Sequence, residues 1–183
     1  MGKRAAMQQE TRQRIVDAAV ELHCTLGPAR TTVAQIAEKA GVQRHTYYAH
    51  FPDERSLFLA CSATASERDP LPDFKRLESE AAGGPRIRRG LAELYAWYAR
   101  NADQAACVLR DAEHHELTRE MVELRMAPTF RDAAEVLGEQ LDSRGRALLE
   151  VALGFACWRT LSNAHAADAA ADLMSEAIER LSR

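Results

Sequence analysis

The sequence is poor in residues that break helices and in the runs that build sheets. Its 183 residues include only 9 glycines and 6 prolines, and runs of β-branched residues are nearly absent. Apolar residues nevertheless make up 46% of the chain, with abundant alanine and leucine, so a sizeable core can form. This composition argues against a β-sheet protein and predicts an all-α fold.

Cysteine is also scarce, and no long hydrophobic run occurs. Cys24, Cys61, Cys107 and Cys157 are far apart and follow no CxxC spacing. We therefore expect small core residues in a reduced, cytoplasmic protein, with a redox-sensing cysteine as the alternative. We expect no signal peptide, and no run approaches the length of a transmembrane helix, so we predict no membrane partner.

Recognisable catalytic motifs are missing too. The sequence contains no glycine-rich phosphate loop, no nucleophile elbow and no HExxH motif. No set of serine or cysteine with histidine and aspartate can be assembled from the sequence pattern. We therefore predict that the protein is not an enzyme and uses no cofactor.

The stretch DAEHHE at residues 111–116 invites a metal site. On a helix, adjacent His114 and His115 point about 100° apart and cannot both face one ion, although in a loop they can. Asp111 and His115 share a helical face, but no second histidine or cysteine cluster completes a site. A capping or solvated role is favoured, and we predict no metal site.

The net charge of −3 does not point to nucleic acid, but its distribution does. Residues 1–55 hold eight basic and six acidic side chains, a net charge of +2, which leaves −5 for the rest. The sign of this asymmetry indicates an anionic partner for the N-terminal part of the chain.

The N-terminal part predicts three helices. Residues 1–9 are polar and are expected to form a flexible arm, and the first helix then runs to the stop signal at Gly27. Thr32 and Gln35 fit a capping box at the start of a short second helix. Gly41 suits a tight turn with positive φ, and a third helix follows from Gln43.

About nine helices are expected in total. The seventh is predicted at residues 116–141, with a kink at Pro128. The eighth, at 147–161, is apolar almost all round, and the last, at 166–181, is amphipathic. Both of these last helices carry many alanines, so we predict that they pair with a second copy in a four-helix arrangement, giving a homodimer.

Two short helices joined through a glycine predict a helix-turn-helix. Its second helix is short because it must enter a groove of DNA with its outer face free. That face offers hydrogen-bonding groups for base edges and phosphates. They are Gln43, Arg44, His45, Thr46, Tyr48 and His50.

A wider set of residues shares these positions with a known family. They are Arg14, Ile15, Ala18, Ala19, Gly27, Thr31, Thr32, Val33, Ile36, Ala37, Ala40, Gly41, Val42, Thr46, Tyr48, His50, Phe51 and Leu57. Through them, residues 11–60 resemble the N-terminal domain of the TetR family of transcriptional regulators. The resemblance implies a DNA-binding domain at residues 1–52 and a helical effector-binding and dimerisation domain at 53–183.

The resemblance also implies roles for individual residues. Thr32 and Tyr48 match phosphate-contacting positions, and His50 matches a histidine near the same backbone. Gln43, Arg44 and His45 match the variable positions that read bases. The family often has a lysine at the start of the fourth helix, where this chain has Glu54. We expect Arg55, in the same helical turn, to substitute for it.

The C-terminal part contains large, soft side chains of the kind that line ligand cavities. They are Trp97, Tyr98, Met121, Met126, Phe130 and Trp158. Core packing explains these residues as well as an effector pocket does. If they line a pocket, the effector is apolar or partly apolar.

Two hypotheses for function follow. The first is a homodimeric repressor that binds a near-palindromic operator in double-stranded DNA and is released by a small molecule. The alternative is a DNA-binding regulator that is controlled by a protein partner and has a filled C-terminal core.

Overall fold

The computed structural model describes residues 2–182, and the predicted all-α fold is confirmed for them. This part of the chain forms eleven α-helices, slightly more than the nine expected, and two 3-10 helices, Pro28–Arg30 and Lys75–Ser79. None of its residues lies in a strand. Nor does any helix in it combine the length and apolar character that crossing a membrane requires. The α-helices are α1 Lys3–Thr25, α2 Val33–Lys39, α3 Arg44–His50, α4 Glu54–Arg68, α5 Gly84–Arg100, α6 Ala102–Ala112, α7 Glu116–Arg125, α8 Ala127–Leu137, α9 Ser143–Leu153, α10 Phe155–Leu161 and α11 Ala167–Leu181.

The chain divides into two compact units. The first unit comprises the chain up to Pro70 together with Asp103–Arg125, and the second comprises Leu71–Ala102 together with the chain from Met126 onward. The boundary expected after residue 52 does not coincide with this division. The reason is that α1 packs on α4 and α4 packs on α7, so α4, α6 and α7 share a unit with the three N-terminal helices.

The first unit has its own hydrophobic core. Its buried members come from α1, α2, α3 and α4 and from the ends of these helices. They are Ile15, Val16, Ala18, Ala19, Ile36, Ala37, Ala40, Tyr47, Phe51, Leu57 and Cys61. Four of the eleven are alanines, and small side chains let these short helices approach closely.

The first helix begins earlier than expected. The flexible arm predicted at residues 1–9 is helical from Lys3 onward, while Met1 lies outside the described residues. Alanine, methionine, glutamine and glutamate fill positions 5–10, and all of them favour helix even where nothing packs against them. Polarity was therefore the wrong signal for disorder in this segment.

Two predicted long helices are each broken in two. The expected helix at 116–141 is interrupted at Met126, and Pro128 stands in the first turn of α8. Proline fits there without a kink, because the first-turn N–H has no helical partner to lose. The expected helix at 147–161 is interrupted at Gly154, whose ψ of 137° is extended.

The break at Gly154 is stabilised by two buried tyrosines of the second unit. An extended residue there leaves the carbonyls at the end of α9 without helical partners. The hydroxyl of Tyr95 donates to the carbonyl of Ala152, and that of Tyr98 donates to the carbonyl of Leu153, each at 2.8 Å. These bonds satisfy the two carbonyls inside the core, where unpaired polar groups are costly.

Candidate nucleic-acid interface

The interface begins with the cap of α2. The Gln35 backbone N–H donates to the Thr32 hydroxyl at 3.3 Å, and the Thr32 backbone N–H donates to the Gln35 side-chain oxygen at 2.8 Å. This reciprocal pair is the predicted capping box. It defines where α2 starts and leaves the exposed Thr32 at that end.

A tight turn then separates α2 from α3. Gly41 has a φ of 65°, a conformation that side-chain-bearing residues rarely adopt. The backbone N–H of Gly41 donates to Glu38 at 3.0 Å, and that of Val42 donates to Ala37 at 2.9 Å. The positive φ predicted for this glycine is confirmed.

The inner side of α3 is anchored by aromatic residues. Tyr47 is 2% exposed and Phe51 is 1% exposed, so both lie in the core of the first unit. The Arg12 guanidinium lies over the Phe51 ring, 4.8 Å from its centre, in cation–π geometry. Burial, with smaller contributions led by nearby Glu54, raises the pKa of Tyr47 to about 12, so its hydroxyl stays protonated.

The outer side of α3 carries the predicted contact residues. Gln43, Arg44 and His45 are exposed, and 53% of the surface of Tyr48 is exposed. Gln43 is the N-terminal cap residue of α3 but makes no side-chain cap bond. Within residues 2–182, Arg44 has no ion pair. Thr46 and His50, which are partly buried, complete the predicted set, and the Thr46 hydroxyl lies 3.3 Å from Nε2 of His45.

Arg55 is engaged elsewhere in the first unit. Its Nε lies 3.0 Å and 3.2 Å from the two carboxylate oxygens of Glu120 on α7, and a second guanidinium nitrogen also bonds to that carboxylate. This fork geometry is the strong form of an arginine–carboxylate pair. A contact between Arg55 and phosphate stays a prediction, and in this arrangement it requires the pair with Glu120 to open.

Asp111 has a structural part in this unit that its sequence pattern did not indicate. Asp111, at the end of α6, is 5% exposed, and its carboxylate accepts the backbone N–H of Ala29 at 2.9 Å and the Arg110 guanidinium at 2.8 Å. Burial alone would raise the pKa of Asp111, but these hydrogen bonds outweigh it and lower the pKa. A side chain on Gly27 would collide with this carboxylate, which explains the glycine there.

A stack of rings lies beside Asp111. The rings of His23 and Phe58 are 5.2 Å apart, and those of Phe58 and His115 are 5.5 Å apart. Burial, followed by the charge of His115, lowers the pKa of His23 to about 4, so His23 is neutral at pH 7. Nδ1 of His115 accepts from the backbone N–H of Thr118 at 3.3 Å. No group of three or more potential ligands occurs among residues 2–182.

The residues predicted to line an effector pocket fall in both units. Trp97, Tyr98 and Trp158 are buried in the core of the second unit, and Met126 and Phe130 are partly buried against it. Met121 lies in the first unit, where its sulfur accepts from the Ser62 hydroxyl. The rings of Tyr98 and Trp158 both contact Phe155, at 5.2 Å and 5.3 Å, a residue missing from the predicted set.

The sequence of the N-terminal helices matches a known family. Residues 15–61 match the model of the tetR family of bacterial regulatory proteins. The chain is 45% identical over 69 residues to the HTH-type transcriptional regulator SrpR of Pseudomonas putida, covering 38% of this chain and 32% of SrpR. It is 33% identical over 120 residues to the HTH-type transcriptional regulator TtgR, also of Pseudomonas putida, covering 64% of this chain and 56% of TtgR. The match therefore spans between a third and just over half of these curated relatives.

The fold extends the likeness to nearly the whole chain. The transcriptional regulator FadR of Bacillus subtilis, solved in complex with stearoyl-CoA, superposes with a TM-score of 0.62 at 18% sequence identity. The superposition covers 91% of this chain and 97% of that one. At this level of identity the likeness concerns the fold. Residues 15–61 are thus similar to the N-terminal domain of the tetR family of bacterial regulatory proteins, and the fold of the described chain resembles that of a solved transcriptional regulator.

Proposed function

We propose that the protein is a DNA-binding transcriptional regulator and that α3 is its recognition helix. The observation that carries the proposal is the two-sided character of α3. Its inner side is anchored by the buried Tyr47, while Gln43, Arg44 and His45 on its outer side are exposed. Seven residues are too few to form a stable helix alone, so the helix is held in place by its neighbours. Such a regulator acts in the cytoplasm, where bacterial DNA lies.

The proposed contacts divide into two classes. Arg44 has the geometry to bind a guanine edge with two hydrogen bonds, and Gln43 and His45 read neighbouring bases in the major groove. Thr32, Tyr48 and His50 bind phosphates and set the register of the helix on the duplex. The Thr46 hydroxyl can contribute a hydrogen bond either to a base or to a phosphate.

The proposed assembly is a homodimer formed through α9, α10 and α11. Large apolar side chains remain exposed on these helices, with 58% of Val151, 45% of Leu173 and 40% of Leu181 accessible. Exposed apolar groups of this size favour burial against a second copy. A two-fold dimer calls for a near-palindromic operator with half-sites about one helical turn apart.

The proposed regulation is release of a repressor by a small, apolar or partly apolar molecule held in the second unit. The aromatic residues around Tyr98, Phe155 and Trp158 support an apolar ligand. The relative FadR was solved with stearoyl-CoA, which has a long apolar chain. The effector works only if it binds the released state more tightly than the DNA-bound state. Control by a protein partner is the second candidate, and it predicts a filled core in the second unit.

Footprinting on the intergenic DNA beside the protein's own gene, at two salt concentrations, tests the proposal. We expect a protected site with two-fold symmetry whose affinity falls steeply with salt. A variant lacking the exposed Arg131 on α8 is the control and should protect the same site. Protection without sequence preference in both proteins would contradict the proposal. A small molecule that abolishes protection separates effector control from control by a protein partner.

A further inference from the structure

A cleft of about 330 Å³ lies within the first unit. Its lining comes from the 3-10 helix Pro28–Arg30, from the end of α6 and from the turn that follows α6. The lining residues are Ala29, Arg30, Arg110, Asp111, His114 and His115. None of them belongs to the predicted effector pocket or to the outer side of α3, so the cleft is a separate feature.

The one carboxylate in this lining is already engaged. Asp111 Oδ2 accepts the backbone N–H of Ala29 at 2.9 Å. Asp111 Oδ1 accepts two nitrogens of Arg110, at 2.8 Å and 2.7 Å. A cation entering the cleft would therefore compete with the hydrogen-bonded pair of the buried Asp111 and the half-exposed Arg110, and it would face two guanidinium groups.

Hydrogen-bond donors in the cleft outnumber the acceptors that remain. The exposed Arg30 has no ion pair and no side-chain hydrogen bond within residues 2–182. His114 keeps 79% of its side chain accessible, and its nearest acidic oxygen, on Glu113, is 3.7 Å away. His115 is more constrained, because its Nδ1 lies 2.9 Å from the Thr118 hydroxyl and its Nε2 lies 4.0 Å from Glu54.

We propose that this cleft binds a small organic oxyanion, a carboxylate or a phosphate ester, between Arg30 and the Arg110 end of α6. The guanidinium of Arg30 matches the two oxygens of such a group with two parallel hydrogen bonds. Arg110, whose Nε and one terminal nitrogen already bond to Asp111 and Leu26, adds its remaining nitrogen. The cleft volume falls at the lower end of ligand sites, so an organic group fits beside the charged one. Ala29 and the imidazoles of His114 and His115 line the cleft together with the charged residues.

Because of where the cleft lies, a bound anion would affect the segment that supports the helix-turn-helix. Arg30 ends the 3-10 helix two residues before Thr32, the cap of α2, whereas Arg110 belongs to α6. An anion held by both would add a second link between this 3-10 helix and α6, beside the existing bond from the Ala29 N–H to Asp111. This consequence, unlike the binding itself, rests on the proposed function. By linkage, an anion that changes the DNA affinity has its own affinity changed by DNA in the same ratio.

Thermal unfolding of the full chain tests the binding without DNA. The probes are inorganic phosphate, phenyl phosphate and succinate, each compared with chloride at matched ionic strength. At about ten times the dissociation constant, a bound probe should raise the melting temperature by about 3–6 °C. A larger rise in melting temperature with phenyl phosphate than with phosphate would identify the ligand as a phosphate ester. A larger rise with succinate than with either would identify it as a carboxylate.

Two variants separate the cleft from general charge effects. Arg30→Gln, at an exposed position, should weaken anion binding about tenfold, because one charge-assisted contact is lost. Arg4→Gln removes an exposed arginine of α1 that does not line the cleft and should leave binding unchanged. Equal shifts in both variants, or no shift beyond that of chloride for any probe, would overturn the proposal.

The DNA arm of the experiment is read separately. If the footprint succeeds and the probes alter DNA affinity in the wild type but not in Arg30→Gln, the cleft is a regulatory site. If Arg30→Gln weakens DNA binding while no probe binds the free protein, Arg30 contacts DNA phosphate and the anion site is refuted. If no footprint is found, the melting data alone decide the anion site.

Discussion

Two helices of equal length show what a short helix is for. The helices α3 and α10 each have seven residues, and each buries one aromatic side chain, Tyr47 in α3 and Trp158 in α10. Neither is long enough to be stable alone, so each is held by tertiary packing. Their shortness and their anchors are therefore the same, and neither property distinguishes a recognition helix.

The difference lies in what surrounds the anchor. In α10, Phe155 stacks beside Trp158 at 5.3 Å, and both rings contact Tyr98, so the aromatic groups are used inside the protein. In α3, the Tyr47 anchor is followed by Tyr48, which is 53% exposed. A short helix is a candidate probe for DNA when an exposed polar side chain such as Arg44 lacks a partner among residues 2–182 and when a tight turn joins it to the preceding helix. The turn before α3 has a positive φ at Gly41, whereas the φ of Gly154 before α10 is −71°.

The largest expected effect comes from removing the α3 anchor. Tyr47→Ala should lower the free energy of unfolding by about 3–5 kcal/mol, because a buried aromatic ring leaves a cavity. Tyr48→Ala, next to it but exposed, should cost less than about 1 kcal/mol. Urea unfolding of both variants measures the difference. Equal losses would mean that α3 is not anchored from one side.

The next largest effect is the loss of stability in acid, which we expect to arise in the first unit, where His23 and Asp111 lie. The pKa of His23 is lowered to about 4, whereas an unfolded histidine titrates near 6.5. The unfolded chain therefore binds the extra proton between these values, and stability falls as the pH drops from 6.5 to 4. The loss from His23 is roughly 2–3 kcal/mol. The lowered pKa of Asp111 acts in the same direction, but only below about pH 3.8.

His23→Leu removes this titration, and the exposed His165→Leu in the loop before α11 is its matched control. Unfolding in urea at pH 7 and pH 4 should show a smaller acid loss in His23→Leu alone. The same acid loss in His23→Leu as in the wild type would assign it to other groups. Such a result would end the contrast in acid sensitivity between the units.

The third effect is on DNA affinity, and we measure it by substituting one arginine in each short helix. Arg44→Ala on α3 should weaken binding to the footprinted DNA by about 10- to 100-fold, as expected for loss of a base contact. Arg159→Ala on α10, also exposed, should leave binding within about twofold. Fluorescence anisotropy with the operator and with unrelated DNA measures both. A loss in Arg44→Ala that is uniform over all DNA would identify a phosphate contact.

The local features of the helix-turn-helix could be predicted from sequence, because their causes are local. The capping box joins Thr32 to a residue three positions on, and the turn depends on the φ of Gly41 alone. The outer side of α3 follows from helical periodicity once Tyr47 is placed inside. These signals lie within a few residues of what they determine.

The missed features depend on partners that are distant in sequence. The break at Gly154 is stabilised by Tyr95 and Tyr98, which bond to carbonyls 57 and 55 positions away. Asp111 bonds to Ala29 across 82 positions, so neither its burial nor the cleft beside it has a local signal. Gly27 was predicted to end the first helix, and this role accounted for the glycine without any need for the close approach of Asp111.

The smallest effect is on stability, and it is expected from substituting the glycines that precede the two helices. Gly41 has a φ of 65°, so Gly41→Ala should cost about 1–2 kcal/mol and lower the melting temperature by about 2–8 °C. Gly154 has a φ of −71°, which alanine adopts freely, although the new methyl would lie 3.2 Å from the Val151 carbonyl oxygen. Gly154→Ala should therefore stay within about 1 kcal/mol of the wild type. A larger loss at Gly154 than at Gly41 would mean that close packing, rather than backbone conformation, requires glycine before a short helix.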